Sequence, residues 1–229
     1  MSVEMQIVSR YLWRGFDLGV GKPALQGYGE VRVPAGLGFS AWASSALDRH
    51  TQLDEIQLGA TYGRTIGDWE AGLGYLAYLL PGTETEPNPG PDPMAWSESG
   101  EISVYLARNW ESGSVWLTYS RGHGNSRGNS LNLWAQRVVP LGKEGWTVEP
   151  TFEADYLDEY DAPGGLAQRL TQLHLALPLA YTTGSLRFAV EPHLTAVPSD
   201  FVREANRSVG GSARTLVPWF AVTLTWEPN

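Results

Sequence analysis

Over residues 169–197, Leu173, Leu175, Leu177 and Leu179 alternate with Gln172, His174, Ala176, Pro178 and Ala180, and beyond a turn at 181–184 Leu186, Phe188, Val190 and Leu194 alternate with Arg187, Ala189, Glu191 and His193. A period of two sustained over such lengths predicts a hairpin of two long strands, apolar on one face and polar on the other. Either the apolar face lines a core and the polar face meets water, or the apolar face meets lipid and the polar face encloses a lumen.

The same alternation runs through the whole chain. Met5, Ile7, Ser9, Tyr11 and Trp13 oppose Gln6, Val8, Arg10, Leu12 and Arg14, predicting a first strand over 5–14. Further strands are predicted over 24–33, 37–44, 55–62 and 69–79, and from Glu101, Ser114, Leu131 and Trp146 onward, then the central hairpin and a last strand over 215–226. That makes twelve, joined by connections that alternate between long ones at 15–23, 46–53, 80–97, 121–129, 157–167 and 198–212 and short ones of about four residues. Short turns of one parity and long loops of the other are the pattern of a barrel that crosses a membrane. Strands of about ten residues suffice for an apolar band about 25 Å tall, and closure leaves no unpaired edge in lipid. Tyr11, Trp13, Tyr62, Trp69, Tyr119, Trp146, Tyr156 and Trp226 fall near strand ends, the place of an aromatic girdle. The expected fold is thus all-β: residues 1–229 form a single closed antiparallel up-and-down transmembrane β-barrel with short periplasmic turns and long extracellular loops. Pro150, Pro178, Pro192 and Pro218 fall inside these strands and predict bulges or strand ends. Arg137 falls on the apolar face, tolerable only near an interface unless a bulge reverses the face.

Composition supports this choice. The chain has 26 glycines, 15 prolines, 10 tryptophans and 10 tyrosines, with only 18% charged residues, which disfavours a helical enzyme. A net charge of −9 leaves no basic surplus for phosphates, so no nucleic-acid partner is expected. There are no cysteines, which excludes disulfides and thiolate metal sites. No apolar run reaches the length of a transmembrane helix. Residues 1–5 lack the regions of a secretory signal, so an exported protein would carry this sequence as a mature form with an added initiator methionine.

Ser9, Arg10, Tyr11, Leu12, Trp13, Arg14, Gly15 and Phe16, followed by Pro23, Ala24, Leu25 and Gln26, resemble the SRYxWRG first strand and PxLQ continuation of small Gram-negative outer-membrane β-barrels of the porin type. The close match covers about the first tenth of the chain. It implies residence in the bacterial outer membrane, with lipid bilayer or detergent around the barrel and small solutes or ions as partners. Phe220, Leu224 and Trp226 supply the aromatic final strand of such barrels, here followed by Glu227, Pro228 and Asn229.

With apolar faces toward lipid, the lumen receives Glu30, Glu55, Glu70, Glu101, Glu149, Glu153, Asp155 and Glu191 against Arg10, Arg14, Arg32 and Arg187, an excess of acid that favours cations if the interior is wet. Trp42, Trp116, Trp134 and Trp219 narrow the same face. The leading expectation is therefore a porin-like channel for passive diffusion, with the 80–97 loop able to fold over its mouth. The first alternative is a plugged barrel that acts through its outer loops. His174 and His193 face one side of adjacent strands near Glu191, but two histidines without a third ligand do not make a metal site. Asp158, Glu159 and Asp161 read as a solvated acidic loop rather than a calcium site. Residues 121–132 superficially resemble the outer-membrane phospholipase, whose histidine has a serine two positions later; here Asn125 follows His123 at that spacing and Ser126 is displaced to the other face, so no enzyme is expected. A soluble barrel or sandwich binding an apolar ligand is the third reading, separable by detergent dependence. No cofactor is expected.

Overall fold

The computed structural model describes residues 1–47, 55–79, 99–124, 127–162, 165–208 and 210–228. The first strand, β1 (Ser2–Val8), is followed by a small hairpin of β2 (Leu12–Trp13) and β3 (Phe16–Asp17). Then come β4 (Ala24–Val33), β5 (Leu37–Ala46), β6 (Glu55–Ile66), β7 (Trp69–Leu79), β8 (Ser99–Trp110), β9 (Gly113–His123) and β10 (Gly128–Arg137). The rest is β11 (Val139–Pro140), β12 (Trp146–Val148), β13 (Thr151–Ala162), β14 (Gly165–Ala176), β15 (Leu179–Thr183), β16 (Leu186–Ala196), helix α1 (Asp200–Ser208) and β17 (Leu216–Trp226).

Apart from β2 and β3, the fifteen strands form one antiparallel sheet. The pairs β10 with β11, β12 with β13 and β14 with β15 each continue one line, so the wall has twelve staves. It closes where β1 meets β17, from Val3 opposite Trp226 to Val8 opposite Ala221. The alternation in the sequence becomes a division between outside and inside: Ile102 is 59% exposed while its neighbour Glu101 is 3% exposed. The exposed side carries residues such as Phe39, Leu73, Leu133, Phe188 and Phe220.

The prolines mark a band across consecutive staves. Pro150 and Pro178 sit in the breaks between β12 and β13 and between β14 and β15, as a missing donor predicts. Pro192 and Pro218 instead lie within continuous strands. Pro192 keeps the bond it accepts, from the Leu177 N–H at 3.0 Å, and lacks only the reciprocal donor. Phe220 bonds toward Ser9, so Pro218, two residues away, points its nitrogen past the end of β1, where no strand waits for a donor. No bulge reverses the face at Arg137: it is exposed, while adjacent Gln136 bonds inward to Glu149 at 3.2 Å.

Several expectations about connections are corrected. The first strand ends at Val8, and 9–23 turns inward instead of continuing outward. Arg14 at φ 49° and Gly15 at φ 87° supply the left-handed backbone that strand geometry cannot use. The expected loops at 121–129 and 157–167 are mostly strand, since β9 and β10 reach His123 and Gly128 and β13 and β14 reach Ala162 and Gly165. Asp158, Glu159 and Asp161 therefore belong to β13, which bulges between Leu157 and Tyr160. The 198–212 connection contains α1, whose first turn is capped by the Ser199 hydroxyl accepting from the Val202 N–H at 3.3 Å. The 80–97 loop lies outside the described residues.

Candidate functional site: the enclosed face of the barrel

The enclosed face is built from the inward parity of each stave and from segment 9–23. Arg14 donates twice to Glu101, Nη1 to Oε1 at 2.7 Å and Nη2 to Oε2 at 2.8 Å, a fork matched to a carboxylate. The Gly15 N–H donates to Gln172 Oε1 at 2.8 Å. A Cβ on Gly15 would stand 2.6 Å from the Thr171 carbonyl oxygen, so only glycine permits this approach. Asp17, 2% exposed, accepts from Arg10 at 2.8 Å, and its backbone N–H donates to Asn206 of α1 at 2.9 Å.

Apolar contacts complete this inner layer. Phe16 packs with Leu157, Val197, Val202, Ala205 and Val217, joining segment 9–23, the wall and α1. A second cluster contains Val8, Tyr11, Ala24 and Ala221. Tyr11 and Trp13 are thus not girdle residues. Tyr11 is 8% exposed, lies 5.5 Å from the Trp42 ring and donates to Glu55 at 3.1 Å, and Trp13 meets Tyr78 edge-on at 6.3 Å. The turn at 14–15 carries them inside. Burial, with the Glu55 carboxylate beside it, pushes the Tyr11 hydroxyl well above its ordinary pKa and keeps it a donor at neutral pH. Tyr62, Trp69, Tyr119, Trp146, Tyr156 and Trp226 are exposed on the outside.

Each enclosed arginine has an acid: Arg10 with Asp17, Arg14 with Glu101, Arg32 with Glu30 and Arg187 with Glu149. The other acids are held by different donors. Tyr105 donates to Glu70 at 2.8 Å and Gln57 to Glu55 at 2.7 Å. Asn132 spans Glu153 and Asp155 at 2.7 and 3.0 Å, and Gln172 donates to the same two carboxylates at 3.3 and 3.2 Å. Glu191 lies 3.6 Å from His193. His193 stacks on Trp219 with centroids 3.7 Å apart and bonds His174 at 2.9 Å, so one His174 nitrogen serves this contact and the other meets Thr195 at 3.2 Å. Among the described residues no group of three or more His, Cys, Asp or Glu could hold a metal.

Sequence reasoning missed Glu4, Asp17, Gln172 and Asn206. Glu4 shares the inward parity of Gln6 and accepts from Thr225 at 3.3 Å, so beginning the strand earlier would have found it. Asp17 and Asn206 are 189 positions apart, and no local pattern joins them. A cavity of about 410 Å³ at the short-turn end is lined by Glu30, Arg32, Glu70, Tyr105 and Trp116 among others. His123 stands 3.3 Å from the Tyr75 hydroxyl on the wall, while Ser126 lies outside the described residues.

A closed twelve-stave wall, apolar outside and charged within, has the architecture of a membrane-spanning β-barrel. Residues 1–154 match the family described as "Bacterial protein of unknown function (Gcw_chp)", and the chain belongs to that family. Solved structures of the same fold include the KdgM porin, with 11% identity over 100% of both chains and a TM-score of 0.62. The NanC porin matches at 10% identity over 98% of this chain and 99% of its own, with a TM-score of 0.64. The KdgM porin in complex with disordered oligogalacturonate matches at 12% identity over 100% of both chains, with a TM-score of 0.59. At these identities the likeness is one of fold. No curated protein sequence matches the chain.

Proposed function

We propose that the protein is an outer-membrane channel for passive diffusion of small solutes or ions, with a preference for cations. One observation carries the reading: among the described residues, a barrel with an apolar exterior encloses acids that outnumber its arginines. To the eight expected acids the structure adds Glu4 and Asp17, and once Arg10, Arg14, Arg32 and Arg187 are matched, Glu4, Glu55, Glu70, Glu153, Asp155 and Glu191 are held without arginine. Fixed negative charge along a low-dielectric wall raises the local concentration of cations and repels anions. The oligogalacturonate recorded with the KdgM porin is polyanionic, and this interior is unsuited to a polyanion. Solute passage would be limited where segment 9–23 meets the wall at Glu101 and Gln172.

A second reading is favoured by the apolar clusters around Phe16 and Tyr11: these fill enclosed space with packed side chains, as a plugged barrel would. Catalysis gains no support, because the Thr195 hydroxyl that meets His174 is fully buried and also accepts from the Trp219 N–H, and His123 is engaged by Tyr75.

Purified protein in a planar bilayer under a salt gradient tests these readings. We expect steady conductance with a cation-signed reversal potential that falls toward zero in the Glu153→Gln/Asp155→Asn variant. These two are preferred to Glu149, whose loss would also free the Arg187 guanidinium from its ion pair. A protein that inserts without conducting would overturn the channel in favour of the plugged barrel.

A further inference from the structure

Several cations lie on the outer wall: Arg64 is placed over the Tyr62 ring and Arg108 over the Trp69 ring, whereas Arg137 borders an apolar groove. Arg137 ends β10 on the exposed face, and its guanidinium has no hydrogen-bond or ion-pair partner among the described residues. It borders a groove of about 690 Å³ on the outside of the barrel, whose lining includes Trp110, Pro150, Leu177, Pro192 and Leu194. The groove has a structural origin. Pro150 and Pro192 face outward on either side of Leu177, and their short rings leave a depression between the longer side chains of Phe152, Leu175 and Leu194. Arg137 pairs in register with Gly113, beside the short turn that follows Trp110. The guanidinium therefore stands at the level of the short turns, with the apolar trough running from it toward the middle of the wall.

We propose that this groove is a binding site for one glycerophospholipid of the leaflet that meets the short turns: an acyl chain lies over Pro150, Leu177 and Pro192, and Arg137 pairs with the phosphate. The proposal rests on the membrane-spanning reading given above. An arginine on the lipid face is costly at mid-bilayer and cheap near the interface, so its place beside the short turns fits headgroup depth. A planar guanidinium matches phosphate by paired N–H donation, and an indole at the same depth suits the interface. A volume in the range typical of small-molecule sites, apolar except at one end, fits an amphiphile with one anionic group. The enclosed acids lie on the other side of the wall and do not compete for this cation.

The test is lipid retention. Protein reconstituted in mixed phosphatidylglycerol and phosphatidylcholine vesicles is re-extracted in mild detergent and weighed by native mass spectrometry, with a parallel preparation containing diacylglycerol. We expect one phospholipid to survive delipidation, no comparable diacylglycerol adduct, and a loss of about tenfold in retention for Arg137→Gln, near the value of one charge-assisted bond. Ala135→Phe fills the groove without removing the charge and should reduce retention similarly. Equal retention in both variants, or equal retention of diacylglycerol, overturns the proposal while leaving the membrane reading intact. Failure to insert in vesicles at all overturns both, and unchanged heat-modifiable gel mobility shows that the variants still form barrels.

Discussion

Removing the Arg14 guanidinium with Arg14→Gln should loosen segment 9–23 from the wall. The Glu101 side chain is 4% exposed and Arg14 13%, so the variant leaves a carboxylate buried without its fork. Breaking a buried pair from one side costs about 3–5 kcal/mol. The neutral contacts that hold the same segment, Gly15 to Gln172 and Asp17 to Asn206, contribute roughly 1 kcal/mol each. The ion pair thus outweighs each of them, and even the lower figure shifts the balance between inserted and displaced segment by about 10²-fold. If the segment lines the passage, single-channel records of Arg14→Gln should show a larger or noisier open level than wild type. Adding Glu101→Gln removes the stranded charge and should return much of the lost stability. Identical open levels and identical thermal unfolding in wild type, single and double variants would refute the argument, because the pair would then neither hold the segment nor border the passage.

Phe16→Ala should cost about 3–5 kcal/mol by emptying the cluster it shares with Val202 and Leu157, read as a lower midpoint in thermal unfolding followed by Trp fluorescence. Gly63→Ala should displace the Tyr105 ring, because a Cβ at that position would overlap the Tyr105 hydroxyl and stand 2.8 Å from Glu70 Oε1, both side-chain atoms; we expect loss of the Tyr105 bond to Glu70, altered conductance and an unchanged β-sheet signal by circular dichroism. The channel variant Glu153→Gln/Asp155→Asn and the lipid-retention variants Arg137→Gln and Ala135→Phe complete the set.

The wall was legible because its rule is strictly local. Phe188 and Val190, or Leu131 and Leu133, announce their face by period two alone, and a closed sheet follows from repeating that signal. The same rule misled at Tyr11 and Trp13, which keep the alternation of Met5 and Ile7 after the backbone has left the sheet. What carries them inside is a left-handed turn at Arg14 and Gly15 and partners such as Gln172 contributed from 157 positions away, which no window of sequence contains. Helix α1 did leave a trace, with Ser199 before Asp200 and the spacing of Val202, Ala205 and Asn206, but a helix of 9 residues between strands is a weak signal among loop-forming residues. The ends of β9 and β13 carry the polar residues His123, Asp158 and Glu159, which look like loop in the sequence, but polarity there marks departure from the apolar band rather than the end of pairing. The enclosed acids were placed by parity, whereas their pairing with particular arginines required the fold.

The wall's apolar exterior exists only once the barrel has closed. Along the extended thread nearly every outward Leu, Ile or Phe is followed by a polar or small residue, and mean hydropathy is −0.23. A translocation machine that examines the chain segment by segment meets no run greasy enough to arrest it. The polypeptide's lipophilic surface therefore forms only when pairing sorts alternate side chains to opposite sides. Its membrane address is encoded in register, and a slip of one residue in a single stave would turn greasy side chains inward and charges toward the lipid.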